Sequence, residues 1–309
     1  MSVSSSTAAS GPGRTAFGVA LAALASAHAL HYPVPWDDAY VLFRVAEHWA
    51  ASGAPYFNPG VAEPVATGWL WPMLLAAVHR IFHVPAPWAG RVLSLAAGVA
   101  VPWLLWQSLA GRGRVLAGGV AGWLCAAGAG FAAWSFSGLE TPLFALLTTA
   151  GLLACARAVE GEAGIQTLLA AGLALGLAAA VRPEGLLFLA VGGAVCLFGV
   201  RGPKRFVFPS AALPMLTACA ASMLILFDTL VPNAYFAKLG GGWQPREGAA
   251  YVRGWIHVHR LAWFLPFLLP AWAGPGRRGA TVAAAGLAVW LAWVAAAGGD
   301  FMPYHRFLA

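Results

Sequence analysis

The sequence predicts an all-α polytopic membrane protein, and three observations carry that prediction. Sixty per cent of the residues are hydrophobic and nine per cent charged, with a mean hydropathy of +0.73, which lies outside the soluble classes. Apolar runs recur at 16–31, 69–84, 88–110, 115–133, 142–158, 165–181, 186–200, 206–230, 259–273 and 279–297. Lysines and arginines gather in short clusters between those runs, which is the positive-inside pattern. The net charge of +7 therefore speaks of orientation in a membrane, and nucleic acid is not implied.

Residues 1–15 form a polar, Ser-rich tail ending near Arg14, expected in the cytoplasm. The run behind it lacks a convincing cleavage site and reads as a retained first span or signal anchor. The first exoplasmic loop is expected over 32–68. Within it Asp37 or Asp38 can cap a helix running to about Ser52, with Val41, Leu42, Val45 and Trp49 on an apolar face and Arg44, Glu47 and His48 opposite. Such a helix belongs in the interface plane. Ser52-Gly53 ends it, and Phe57-Asn58-Pro59-Gly60 reads as a tight turn.

The run 69–84 carries Pro72, His79, Arg80 and His83, and several other runs are shorter than the roughly 20 residues of a perpendicular span. If every run crosses, Arg112 and Arg114 fall outside. If 69–84 is re-entrant or interfacial, Arg14, Arg112, Arg114, Arg157, Arg201, Lys204, Arg205, Arg277 and Arg278 share one side, the cytoplasm. The opposite side then receives Asp37-Asp38, Glu140, Arg182-Pro183-Glu184, a later exoplasmic loop over 231–258, and Gly299-Asp300. Residues 16–309 thus form one transmembrane helix bundle. Cys125, Cys155, Cys196 and Cys219 all lie in apolar runs without CxxC spacing and read as small buried side chains.

Only 11 of 309 residues are acidic, and an ionisable group in hydrocarbon costs about 2.5 to 3.5 kcal/mol at a helix centre. The adjacent pair Asp37-Asp38 is therefore the leading candidate for chemistry. One acid can cap the helix while the other serves as a base toward a hydroxyl, and either could bind a divalent ion. Arg182, Lys238, Arg246, Arg253, Arg260 and Arg306, with His305 beside the last, could hold a phosphate or simply snorkel to the interface. Arg182 is the most telling of these, because Arg182-Pro183-Glu184-Gly185 breaks a helix at the membrane edge, where broken helices line cavities. Glu140 and Asp300 share the form of a carboxylate at a span end beside Gly or Pro. Trp36, Trp69, Trp71 and Trp134 flank these motifs, and an aromatic face also stacks on a sugar ring. His79 and His83 stand one turn apart without an HExxH pattern or a third ligand, so metal ligation is not expected there.

Taken in order, six segments resemble the GT-C class of membrane glycosyltransferases, and within it the arabinofuranosyltransferase-like branch. They are Asp37-Asp38-Ala39-Tyr40 with Phe43-Arg44, Phe57-Asn58-Pro59-Gly60, Ser137-Gly138-Leu139-Glu140-Thr141-Pro142-Leu143 and Arg182-Pro183-Glu184-Gly185. Pro232-Asn233-Ala234-Tyr235-Phe236-Ala237-Lys238 and Gly298-Gly299-Asp300-Phe301-Met302-Pro303 with Arg306-Phe307 complete the set. The resemblance implies a GT-C-like bundle in the cell membrane with its active site on the periplasmic or exoplasmic side. It implies an inverting transfer of a sugar, arabinofuranose in that branch, from a polyprenyl-phosphate donor to a hydroxyl of a cell-envelope glycan. Asp37 falls on the family's general base, with Asp38 beside it. Arg44, Glu140, Arg182, Glu184, Asn233, Lys238, Asp300 and Arg306 fall at positions near the donor phosphate or sugar. A divalent cation is compatible with these residues but not required by them.

Two departures accompany the resemblance. Where the family carries Tyr, Thr and Ser ahead of the second run, this chain reads Val65-Ala66-Thr67-Gly68-Trp69-Leu70-Trp71-Pro72. Family members continue with further spans beyond the last motif, so the expectation is of a chain truncated relative to them. A lipid-linked-sugar binding protein or translocase, and an inactive truncated paralogue, are the alternative readings; neither needs a general base.

Overall fold

The computed structural model describes residues 12–32, 37–233, 242–264, 276–300 and 302–308. Among them every regular element is a helix, with no strand beyond a single bridge between Asn58 and Val61. The helices are α1 (Pro12–Leu30), α2 (Asp37–Ser52), α3 (Leu70–Phe82), α4 (Ala86–Ala110), α5 (Val115–Ala127), α6 (Ala129–Ser135), α7 (Thr141–Val159), α8 (Ile165–Val181), α9 (Gly185–Gly199), α10 (Val207–Phe227), α11 (Pro245–Val258) and α12 (Arg277–Ala297). Short 3-10 turns cover Pro203–Phe206, Leu261–Phe264 and Pro303–Leu308.

Among the described residues four segments are long and apolar enough to cross a membrane: Ala86–Ala110, Thr141–Val159, Pro203–Phe227 and Arg277–Ala297. Helices α5 and α6 pass the same test only as a pair, bent by 66° at the break between them. This is an α-helical membrane protein. The apolar part of α1, Thr15–Leu30, and helices α8 and α9 are shorter, and they run between the same two ends of the bundle as the long ones.

The centre is α8, flanked by α7, α9 and α10. Leu168, Ala171, Leu175 and Ala178 on α8 are buried, with Phe144, Cys155, Phe188, Cys196 and Phe208 around them. Small residues allow this closeness, as at membrane helix interfaces generally. Gly172 faces the Phe208 carbonyl and Gly151 the Leu175 side chain, with no room for a Cβ at either place. The buried thiols of Cys155 and Cys196 lie 3.8 Å apart, and all four cysteines are free.

One end of the bundle collects Arg112, Arg114, Arg157, Arg201, Lys204, Arg205, Arg277 and Arg278. Of the eleven acidic residues only Glu160 and Glu162 lie there, and both pair with Arg112, at 2.7 and 3.0 Å. The remaining acids sit at the opposite end, so the excess positive charge belongs to one end alone.

The sequence reading of α2 agrees with its position in part, with Val41, His48 and Trp49 half-buried. Leu42 and Val45 are buried, Arg44 and Glu47 exposed, and Ala39, Phe43 and Ala46 join the buried face. That face packs on α3, where Trp71, Leu75 and Ala76 meet it. Helix α3 starts beside Val181, at Gly68, and ends beside α2, where Arg80 Nη1 donates to the Ala50 carbonyl at 3.4 Å. Both its termini therefore lie at the acidic end. Its thirteen residues reach about 20 Å at 1.5 Å per residue, short of a 30 Å core.

Two expectations need correction. The run 115–133 is not one rod: Gly128, with φ −65° and ψ 113°, stops α5 and starts α6, which carries Trp134 sideways toward the acidic end. The region 231–258 is not only a loop, because α11 occupies most of its latter half. Gly248 of α11 packs directly on the Ala295 carbonyl of α12. The run 259–273 falls largely outside the described residues, as do Trp36, Lys238 and the Gly240-Gly241 connection.

Candidate functional site

The acidic end gathers most of the sequence-predicted residues around two buried arginines. The first, Arg182, caps the C-terminus of α8 in extended backbone. Pro183 prevents the helix from continuing, and Glu184 follows at the start of α9. Arg182 donates from Nη1 to Glu140 Oε1 and from Nη2 to Glu184 Oε1, each at 3.0 Å. Its side chain is 2% exposed. Burial alone would lower the affinity of this guanidinium for its proton. The Glu184 and Glu140 carboxylates, with Asp300 nearby, outweigh that and hold its pKa above the usual arginine value.

Glu140 is placed by a heavily pinned turn. Gly138 adopts φ +83°, which a glycine takes without strain, and its carbonyl accepts from Trp71 Nε1 at 3.1 Å. Ser137 Oγ donates to the Trp134 carbonyl at 2.8 Å and accepts from the Leu139 N–H at 3.2 Å. Ser94 Oγ of α4 donates to the Leu139 carbonyl at 2.7 Å. The carboxylate thus sits on a rigid platform built by α3, α4, α6 and α7.

The second arginine, Arg306, belongs to the strap 302–308 that follows α12. It donates from Nε to Asp300 Oδ2 and from Nη1 to Asp38 Oδ2, the latter at 3.0 Å. The side chains of Arg306 and Asp300 are each 3% exposed, that of Asp38 41%. Gly298 and Gly299, at φ +99° and +82°, turn the chain off α12 so that Asp300 points back at the strap. Tyr304 and His305 stand at positive φ themselves, which non-glycine residues adopt only where their surroundings enforce it.

Phe307 joins the two groups. Its ring centroid lies 5.3 Å from the Arg182 guanidinium and 5.4 Å from that of Arg306. Trp134 flanks Arg306 at 5.6 Å and Phe144 flanks Arg182 at 5.8 Å. The Phe307 N–H donates to the Tyr251 hydroxyl on α11 at 3.3 Å. Burial raises the pKa of Tyr251, and the charge on Asp300 adds to that. Two buried polar atoms in the paired groups, Glu140 Oε2 and Arg306 Nη2, have no hydrogen-bond partner.

Asp37 differs from its neighbour. It is exposed, accepts the Asp38 N–H at 2.9 Å, and makes no ion pair among the described residues. The adjacent acids therefore divide: Asp38 is committed to Arg306, and Asp37 is exposed beside it.

Other predicted residues lie apart. Arg44 clamps the Phe57–Gly60 turn, donating to the Phe57 carbonyl at 2.9 Å and to Asn58 Oδ1 at 3.3 Å, with its guanidinium over the Phe57 ring. Asn233 is exposed, and its N–H donates to the Pro64 carbonyl at 2.9 Å, tying the later loop to the first. Among the described residues no three His, Cys, Asp or Glu side chains are grouped as metal ligands.

Sequence reading missed Arg91. It lies inside an apolar run, one turn before Ser94 on α4, with Trp88 at 5.4 Å and Phe136 at 5.7 Å from its guanidinium. Its Nε is buried without a hydrogen-bond partner, and no carboxylate pairs with it among the described residues. The signal was available: an arginine within a membrane run is a functional candidate by default. No protein-family model, no curated protein and no solved structure matches the chain.

Proposed function

We propose that the protein is an inverting membrane glycosyltransferase that moves a sugar from a polyprenyl-phosphate donor to a hydroxyl of a cell-envelope glycan. The observation that carries this reading is the division of the acid pair, with Asp37 exposed and free of an ion pair among the described residues while Asp38 is held by the buried Arg306. In the reaction the acceptor hydroxyl gives its proton to the Asp37 carboxylate. Its oxygen attacks the anomeric carbon from the face opposite the phosphate, the carbon–oxygen bond to phosphate breaks, and polyprenyl phosphate leaves with the bonding pair.

The paired groups around Arg182 and Arg306 have a positioning role. Four carboxylates surround two guanidiniums there, an excess of negative charge that repels a phosphate and suits the neutral hydroxyls of a sugar. The orphaned acceptor on Glu140 and donor on Arg306 match what a polyol offers. The departing phosphate falls to Arg91, whose guanidinium is not neutralised and which stands near the exposed Trp88 and Val92, the direction from which a lipid-borne donor would approach. The positive-inside rule puts the arginine-rich end in the cytoplasm and this site on the exoplasmic face.

The test is release of polyprenyl phosphate from a panel of radiolabelled polyprenyl-phosphate sugars, arabinofuranose first, by the reconstituted chain and by Asp37→Asn. Release by the parent alone, dependent on an added acceptor, supports both transferase and base. Equal donor binding with no turnover by either protein would reject transfer in favour of a lipid-linked-sugar binder or translocase.

A further inference from the structure

The arginine-rich end holds a groove of about 490 Å³ between α9 and α12. Val159, Val195, Phe198 and Val282 form its apolar wall, and Arg201 and Arg278 form its polar end. Arg278 is held in place, with Nη1 donating to the Val159 carbonyl at 3.1 Å. Arg201 is exposed and donates no side-chain bond among the described residues. The only acids at this end, Glu160 and Glu162, are occupied by Arg112, and Glu160 also accepts from the Gly279 N–H at 3.1 Å. Among the described residues neither groove arginine has a carboxylate partner. Phe198, 89% exposed, extends the apolar wall outward along α9.

We infer that this groove binds an anionic phospholipid, its phosphate on Arg201 and Arg278 and an acyl chain along Val195, Phe198 and Val282. The site is separate from the acid cluster and does not depend on the transfer reaction. An uncharged ligand would leave two guanidiniums unmatched, and the ammonium of a zwitterionic lipid would find both nearby carboxylates taken. A free phosphate would leave the apolar wall uncovered. Basic pockets between membrane helices on the cytoplasmic side are suited to anionic headgroups, each Lys or Arg contributing about fivefold in affinity.

The experiment uses the full chain purified in neutral detergent and titrated with phosphatidylglycerol, phosphatidylcholine or inorganic phosphate, reading the thermal unfolding midpoint, which rises when a ligand binds the folded state. Phosphatidylglycerol should raise the midpoint while phosphatidylcholine and phosphate do not. Arg201→Gln should weaken the apparent affinity about fivefold, and Ala194→Trp, which fills the exposed lip of the groove without altering charge, should remove the shift. Arg201 holds nothing in the fold, so its variant should match the parent without lipid. An undiminished phosphatidylglycerol shift in Arg201→Gln would overturn the assignment. So would equal shifts from phosphatidylcholine or phosphate.

Discussion

Arg306 and Asp38 stand 268 residues apart in the chain and 3.0 Å apart in space. That contact closes the last described segment onto α2, and it makes Asp38 a different chemical object from Asp37.

The two acids on Arg306 should not be equal in stability. Asp300 is buried with it, so Asp300→Asn leaves a buried guanidinium short of a partner and should cost about 3 to 5 kcal/mol. Asp38 is half in solvent, and Asp38→Asn should cost about 1 kcal/mol or less. Thermal unfolding in detergent checks the order; equal losses would mean that the strap is held by something other than this pair.

Arg91→Gln should weaken donor binding while leaving the fold nearly intact, because the side chain contributes only contacts to Trp88 and Phe136, about 0.5 to 2 kcal/mol. Arg182→Gln should instead lower the unfolding midpoint sharply by stranding Glu140 and Glu184. Isothermal titration with a polyprenyl-phosphate sugar, beside unfolding curves, separates the two behaviours. Should Arg91→Gln bind donor as the parent does, the phosphate lies elsewhere.

Acid should loosen the strap. Burial and the charge of His259 lower the pKa of His305 below the usual histidine value, and its ring packs 4.9 Å from Tyr251. A lowered folded-state value means the stabilising effect is complete above the ordinary histidine pKa, near 6.5, and is lost as pH falls through the lowered one. Fluorescence of Trp290 and Trp293, which pack on Phe307, should change over that acid window in the parent and not in His305→Phe.

Gly248→Ala should lift α11 from α12, since its Cβ would enter the Ala295 carbonyl; overpacking of this kind costs about 1 to 3 kcal/mol. Faster tryptic cleavage at Arg246 or Arg253 is the expected sign. Unchanged cleavage would show that the contact carries little of the docking.

Much of the fold was legible because hydrophobic period is local. The apolar runs that lie within the described residues became helices, α2 appeared with its bounds and its polar face, and the proline in Arg182-Pro183-Glu184 marked a true break. Helix α11 was hidden because its apolar positions, such as Tyr251 and Trp255, are interrupted by charges that a loop also carries. The bend at Gly128 was hidden because Gly128 and Gly130 sit in an otherwise continuous apolar run. The site was legible as a set of residues but not as a set of pairs. Nothing local says that Arg182 will also be spent on Glu140, or Arg306 on Asp38, because those contacts, 42 and 268 residues apart in the chain, exist only after distant elements converge.

One aromatic ring between two guanidiniums has a consequence beyond its contact energy. Because Phe307 leans on both Arg182 and Arg306, the two ion-pair groups share a wall, and loss of either arginine relaxes the seat of the other. Their free energies are then non-additive: a second substitution meets a structure that the first has already loosened. Two arginines, four acids and one phenylalanine would therefore tend to be retained or replaced together, as a single heritable block.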